Sequence, residues 1–134
     1  MKRSAKIDAV TTAFERFNER DFAGALELFH PDVVHADLLV PGQTHRGRAE
    51  VLRLWSQRFA DGSARAVLYE TREIAAIVLA IVRYQAYTST GSAVGSPMIV
   101  AHRFAFDGDL IVRVDATILE EMSEDAVSLF LQSA

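Results

Sequence analysis

Two strand-like runs, MIVAHRFAF at 98–106 and LIVRVDATI at 110–118, stand on either side of the tripeptide DGD. Runs rich in Ile, Val and Phe suit a pleated strand, and an intervening Asp-Gly is a strong hairpin signal. A tight turn also fixes which side chains meet across the two strands. With Asp107-Gly108 as a two-residue type I′ turn, Phe106 opposes Asp109, His102 opposes Arg113 and Val100 opposes Asp115. One face then carries Met98, Val100, His102, Phe104 and Phe106 beside Ile111, Arg113, Asp115 and Thr117, the mixture of bulky apolar and ionisable groups found in ligand cavities. The reverse face, with Ile99, Ala101, Val112, Val114 and Ala116, is flat and aliphatic apart from Arg103. A three-residue loop would flip the second strand and part His102 from Asp115. The two-residue turn is the expectation. The aliphatic face is expected to form a homodimer through the convex side of the sheet, with a covering helix as the alternative.

Upstream, residues 64–73 alternate loosely, 76–88 suit a long strand, and TSTGSAVGSP reads as a loop from its glycines and proline. The first half reads helical. Val10, Ala13, Phe14 and Phe17 share one face of a helix from about Ser4 to Asn18. Asp21 can cap a second helix carrying Phe22, Ala25, Leu26 and Phe29, which HPD at 30–32 stops. A strand follows within VVHADLLVPGQ, placing His35 and Asp37 on one face with Val33 and Leu39. A third helix starts near Arg48, turns Val51, Leu52, Trp55 and Phe59 inward, and ends at DGS, 61–63. Ser123 can cap a last helix in the tail. Helices first and strands afterwards specify an α+β domain spanning 1–134, with helices on one face of a curved sheet.

The bulk composition narrows the partners. The chain has 134 residues, half of them hydrophobic, no cysteine and a formal charge of −4. That excludes disulfides, thiolate metal sites and a cysteine nucleophile, and it leaves no basic footprint for nucleic acid. The apolar run at 74–82 is too short to cross a bilayer. The first ten residues lack the apolar core of a signal peptide, so a cytoplasmic protein without a membrane partner is expected.

The segments AFERFNERDFAGALELFHPDVVHAD, THRGRAEVLRLW and HRFAFDGDLIVRVDA together resemble the SnoaL-like and ketosteroid-isomerase-like branch of the nuclear transport factor two-like superfamily. The resemblance covers roughly residues 7–118. It implies a cone: a curved antiparallel or mixed sheet wrapped around a pocket, three N-terminal helices packed on its concave side, and frequent dimerisation. The superfamily includes isomerases, aldol-type cyclases, epoxide hydrolases, dehydratases and members with no assigned activity. By this resemblance Asp37 stands where ketosteroid isomerases place the aspartate that shuttles a proton at carbon. Their helix-1 tyrosine falls near Ala13 or Phe14, and their second carboxylic acid falls at His102. In polyketide-cyclase relatives a histidine and an aspartate on the last two strands do the acid–base work, an arrangement that His102 and Asp115 resemble.

The resulting expectation is a cofactor-independent acid–base enzyme acting on an apolar, carbonyl-containing small molecule. Asp37, His102 and Asp115 are its catalytic candidates, and His35, Phe14, Phe17, Trp55, Phe104 and Arg113 its ligand-binding ones. Burial among apolar neighbours would raise the pKa of Asp37 toward a base useful at carbon. His-x-Asp on one strand does not close a metal shell, so no metal is expected. A non-catalytic binding module and a structural dimer of the same fold are the alternatives.

Overall fold

The computed structural model describes residues 4–59 and 64–119. Helix α1 (Ala5–Asn18) begins where the Ser4 hydroxyl accepts from the backbone N–H groups of Lys6 and Ile7, and it buries Val10, Ala13 and Phe17. The chain then turns at Arg20, which adopts a left-handed conformation with φ 64°. The Asp21 carboxylate caps the short helix α2 (Phe22–Leu26) through the N–H of Gly24. A Cβ at position 24 would run into the Asp21 carboxylate, so a larger residue there would displace the cap.

Strand β1 (Phe29–Ala36) starts before HPD rather than after it. Pro31 cannot donate to a ladder, and it sits where the register with the neighbouring strand shifts, between Phe29 and Val34. After β2 (Thr44–Arg46), Gly47 at φ 91° leads into α3 (Arg48–Phe59), which buries Val51, Leu54 and Trp55. The strands β3 (Ala64–Ile74), β4 (Ile77–Tyr87), β5 (Ala93–Asp107) and β6 (Leu110–Leu119) complete a curved, unclosed six-stranded sheet in the order β2-β1-β6-β5-β4-β3. The β1–β6 pair is parallel and the rest are antiparallel, so the sheet is mixed. The helices pack on one side of it, as the cone expectation requires. The expected loop at 88–97 shrinks to a turn, because β5 already begins at Ala93. A bulge absorbs the extra residues, and the buried Gln85 amide fills it by donating to the carbonyls of Ala86, Val94 and Gly95. The expected helix end at 61–63 and the tail helix at Ser123 lie outside the described residues.

The hairpin register differs from expectation. Asp107 pairs with Leu110, so the turn residues are Gly108 and Asp109, with Gly108 at φ 60°. Glycine with positive φ at the first central position is the type II′ arrangement. A bulge between Ala105 and Phe106 shifts the ladder once more, and His102 comes to lie opposite Ala116, Phe104 opposite Val114 and Arg103 opposite Asp115. Val114, Ala116 and Ile118 therefore share the concave face with His102. Arg113, Asp115 and Thr117 stand on the convex face beside Arg103. The face on which a dimer was expected is thus partly charged rather than aliphatic, although Ile81, Ile99 and Ala101 are buried on it.

One side chain stitches the helical layer to the open edge of the sheet. Asn18 donates to the Ala66 carbonyl and accepts from the Ala66 N–H, both at 2.8 Å, so its amide stands in for a strand neighbour. Arg20 adds a contact to the Ala64 carbonyl. Asn18→Ala is expected to destabilise the fold by about 2 kcal/mol, since two hydrogen bonds vanish and two Ala66 groups lose partners. Asn18→Asp, which keeps the acceptor but turns a carboxylate oxygen toward the Ala66 carbonyl, should lose at least as much. Urea denaturation of the three proteins checks the order.

Candidate functional site

The concave face and the helices enclose a cavity of about 440 Å³, counting its open mouth. Six aromatic side chains form most of its wall: Phe14, Phe17, Phe29, Trp55, Phe59 and Phe104. Ala13, Leu38 and Val114 complete the apolar part, and three residues contribute polar atoms, His35, Tyr84 and His102.

His102 reaches the cavity because even-numbered residues of central β5 point inward; it is 1% exposed. Its Nδ1 lies 3.3 Å from the backbone carbonyl of Asp115, which can only accept, so Nδ1 carries the proton. Nε2 is then an acceptor, and the Tyr84 hydroxyl donates to it at 2.7 Å. His35 donates from Nδ1 to the Ala36 carbonyl at 2.7 Å, leaving its Nε2 as a lone-pair acceptor on a residue that lines the cavity. Its ring is held edge-on by Trp55, with centroids 5.7 Å apart.

All three polar groups are held neutral. Burial, helped by the neighbouring His35, pushes the His102 pKa down to about 3. Burial likewise lowers His35, with the Asp37 carboxylate acting weakly in the opposite sense. Burial raises the Tyr84 phenol. The cavity is an aromatic chamber with one fixed acceptor and one fixed hydroxyl–imidazole pair, and its lining carries no formal charge.

Asp37 is buried just beyond the end of β1, but it is not part of the lining. Its Oδ1 accepts from the N–H groups of Leu39 and Val40 at 2.8 and 3.2 Å and from Arg58 Nη1 at 2.5 Å, while Oδ2 receives His45 Nε2 at 2.8 Å. Arg58 above all, with His45 and the Leu39 N–H, holds the carboxyl well below the usual carboxylate range, outweighing the effect of burial. This corrects the expectation of a raised Asp37 pKa: the residue is buried as expected, but its donors reverse the sign of the shift. The Asp115 carboxylate is likewise apart from the cavity, paired with Arg113 Nε on the convex face at 3.0 and 3.2 Å. The hairpin register is the reason, and only the Asp115 backbone meets His102. Arg113 is removed from the cavity by the same shift. Phe14, Phe17, His35, Trp55, His102 and Phe104 all line it.

Tyr84, Phe29, Phe59 and Leu38 are cavity residues that the sequence alone did not single out. Tyr84 had a signal: Val78, Ala80, Val82 and Tyr84 alternate along β4, and the tyrosine is the one member of that series with a polar side-chain atom. Among the described residues no three acidic or histidine side chains gather to hold a metal ion, and no helix is long and apolar enough to cross a membrane.

A family model described as the SnoaL-like domain matches residues 10–114. Among solved structures, the chain is similar to a provisionally named polyketide cyclase of Sinorhizobium meliloti, at 24% identity and TM-score 0.69 over 82% of this chain and 94% of that one. It is also similar to TerC co-crystallised with polyporic acid, at 19% identity and TM-score 0.70 over 96% and 99% of the two chains. A third, an NTF2-like protein of unknown function from Burkholderia pseudomallei, gives 21% identity and TM-score 0.70 over 98% and 100%. At these identities the likeness is one of fold. No curated protein sequence gives a significant match.

The neutral histidines make stability depend on pH. Unfolded His102 regains its ordinary pKa of 6.5 against about 3 in the fold. Its depressed pKa costs nothing above 6.5, and as pH falls below 6.5 the unfolded chain binds the extra proton, so stability drops until about pH 3. His35 acts in the same direction, and Asp37 adds a further loss below its unfolded value of 3.8. Between pH 7 and 5 the His102 contribution alone is expected to lower stability by about 2 kcal/mol. Urea titrations at both pH values should give a shallower dependence for His102→Gln; an unchanged dependence assigns the effect elsewhere.

Proposed function

Because the chain belongs to the SnoaL-like domain family, we propose that its cavity binds an apolar, carbonyl-containing small molecule and transfers a proton at the carbon beside the carbonyl, without a cofactor. The observation that carries this reading is the set of polar atoms in an otherwise aromatic lining: an imidazole acceptor, His35 Nε2, and a buried hydroxyl, Tyr84, hydrogen-bonded to His102.

His35 is the base in this reading. Its lowered pKa keeps Nε2 unprotonated at neutral pH, and the nearby Asp37 carboxylate offsets the charge that appears when the proton arrives. Tyr84 is the donor: its O–H turns from His102 Nε2 to the substrate oxygen as negative charge develops there. His102 is a positioning residue, its tautomer set by the Asp115 carbonyl. Asp37 positions the end of β1 and, through it, His35. TerC lends support of a general kind, since a protein of this fold is co-crystallised with polyporic acid.

A neutral probe tests the reading. 2-Tetralone in D2O reports proton abstraction by exchange at its α-carbon, followed by NMR. The protein should accelerate exchange well above the buffer rate. His35→Gln should lose at least roughly 100-fold, and Tyr84→Phe about 10²–10³-fold, as for loss of an oxyanion donor. Exchange at the buffer rate with intact protein, or an active His35→Gln, overturns the reading. Tetralone binding without exchange would instead favour a binding module, for which the neutral aromatic lining is equally suited.

A further inference from the structure

The convex face of the sheet has a buried centre. Leu79 and Ile81 on β4 and Ala101 on β5 are at most 1% exposed, and Ile99 is 6% exposed. Ile81 stands opposite Ala101 in the ladder, so these side chains form one patch. Helices α1, α2 and α3 pack against the other face, and no described helix shields this one. Strands by themselves leave such side chains open to water: Val67, on the same face of β3, is 44% exposed. The centre of the convex face therefore needs a cover.

We propose that residues 120–134 of the same chain lie across the convex face as an amphipathic helix and form that cover. The place where β6 ends is the first support. Its last residue, Leu119, already packs on the cluster of Ile81, Ile99 and Ala101, so the chain leaves the sheet on that face. The second support is the pattern of the segment. Met122, Ala126, Leu129 and Phe130 recur at i, i+4, i+7 and i+8, an apolar stripe, while Glu121, Glu124 and Asp125 fall on the opposite side. A helix over 123–134 spans about 18 Å and two strand spacings span about 10 Å, so it reaches from β6 across β5 and β4. Charge is the third support. The segment has four acidic residues and no basic one. Around the apolar centre the ladder sets Arg72 and Arg103 opposite Leu79 and Arg83 opposite Ile99, against one acid, Glu70 opposite Ile81. An acidic segment with an apolar stripe complements an apolar patch rimmed by arginine. The cover takes the surface through which a second copy would pair, and it braces β5 directly behind His102.

The chain has no cysteine, so one introduced thiol reports on the cover. Ile81→Cys places it at the centre of the patch, and the smaller side chain leaves the cover its room. Ellman's reagent should label this thiol at least tenfold more slowly in the full chain than in the same variant ending at Leu119. The slow rate should stay unchanged on about hundredfold dilution of the protein, as protection from within one chain requires. Phe130→Asp in full-length Ile81→Cys should also speed labelling at least tenfold, and it supplies the comparison where the shortened chain does not fold. Circular dichroism checks that each variant is folded. Rapid labelling of the full chain overturns the proposal, because the face is then open. Protection that fades on dilution also overturns it and assigns the patch to a second copy. Protection that persists in the folded shortened chain, or in folded Phe130→Asp, overturns it as well and assigns the burial to the arginine stems of the sheet itself.

Discussion

Trp55 packs edge-on against Phe17, Phe22, Phe29 and His35, with centroid separations between 5.4 and 6.0 Å. One indole therefore joins α1, α2, α3 and β1, and the cavity lies where these elements face the concave side of the sheet. Aromatic rings suit such a junction, because each buries a large area and edge-to-face contact sets orientation as well as distance. The same contact holds the His35 ring upright, so the packing that closes the core also aims a functional group. Phe17 extends the cluster to Phe59, 5.3 Å away, which lies at the end of α3 and lines the cavity.

The polar groups within that shell are few and closely constrained. A buried imidazole is tolerated only when both nitrogens have a defined use. His102 meets that demand with a backbone carbonyl on one side and a phenol on the other. His35 meets half of it, and among the described residues its second nitrogen has no protein partner. This asymmetry gives the two histidines different potential: one fixes a neighbour, and the other has an unsatisfied acceptor where a ligand would sit. An acceptor without a protein partner beside a cavity is the kind of local cost that folds retain where binding offsets it.

How much of this could be read in advance depends on the range of the determining contacts. Asp21 was legible as a cap because it acts within three residues of itself, whereas Ser4 was legible only as the start of α1. The helix faces of α1 and α3 were legible from the spacing of Phe14, Phe17, Trp55 and Phe59. The strands of the hairpin were legible, but their register was not. DGD offers two overlapping two-residue turns, and one bulge at Ala105 is enough to exchange the faces of β6. His102 kept its inward position because β5 is central and anchored on β4 as well. Asp115 and Arg113 did not, since the bulge carries them to the opposite face whichever two-residue turn DGD adopts. Tyr84 was readable from simple alternation and needed no tertiary information.

Asp37 is the residue whose character the sequence could least disclose. A carboxylate at the end of a buried strand can be a base of raised pKa or an anchor of lowered pKa, and burial is common to both. The difference lies in what stands across from it. Arg58 is 21 residues away on another element, and His45 is 8 away on β2. With these two and two backbone N–H groups around it, protonation of Asp37 would disturb four hydrogen bonds to charged or polar donors, and the carboxylate form wins. That choice propagates outward. With Asp37 saturated, the acceptor without a protein partner among the described residues is Nε2 of His35, two residues earlier on β1.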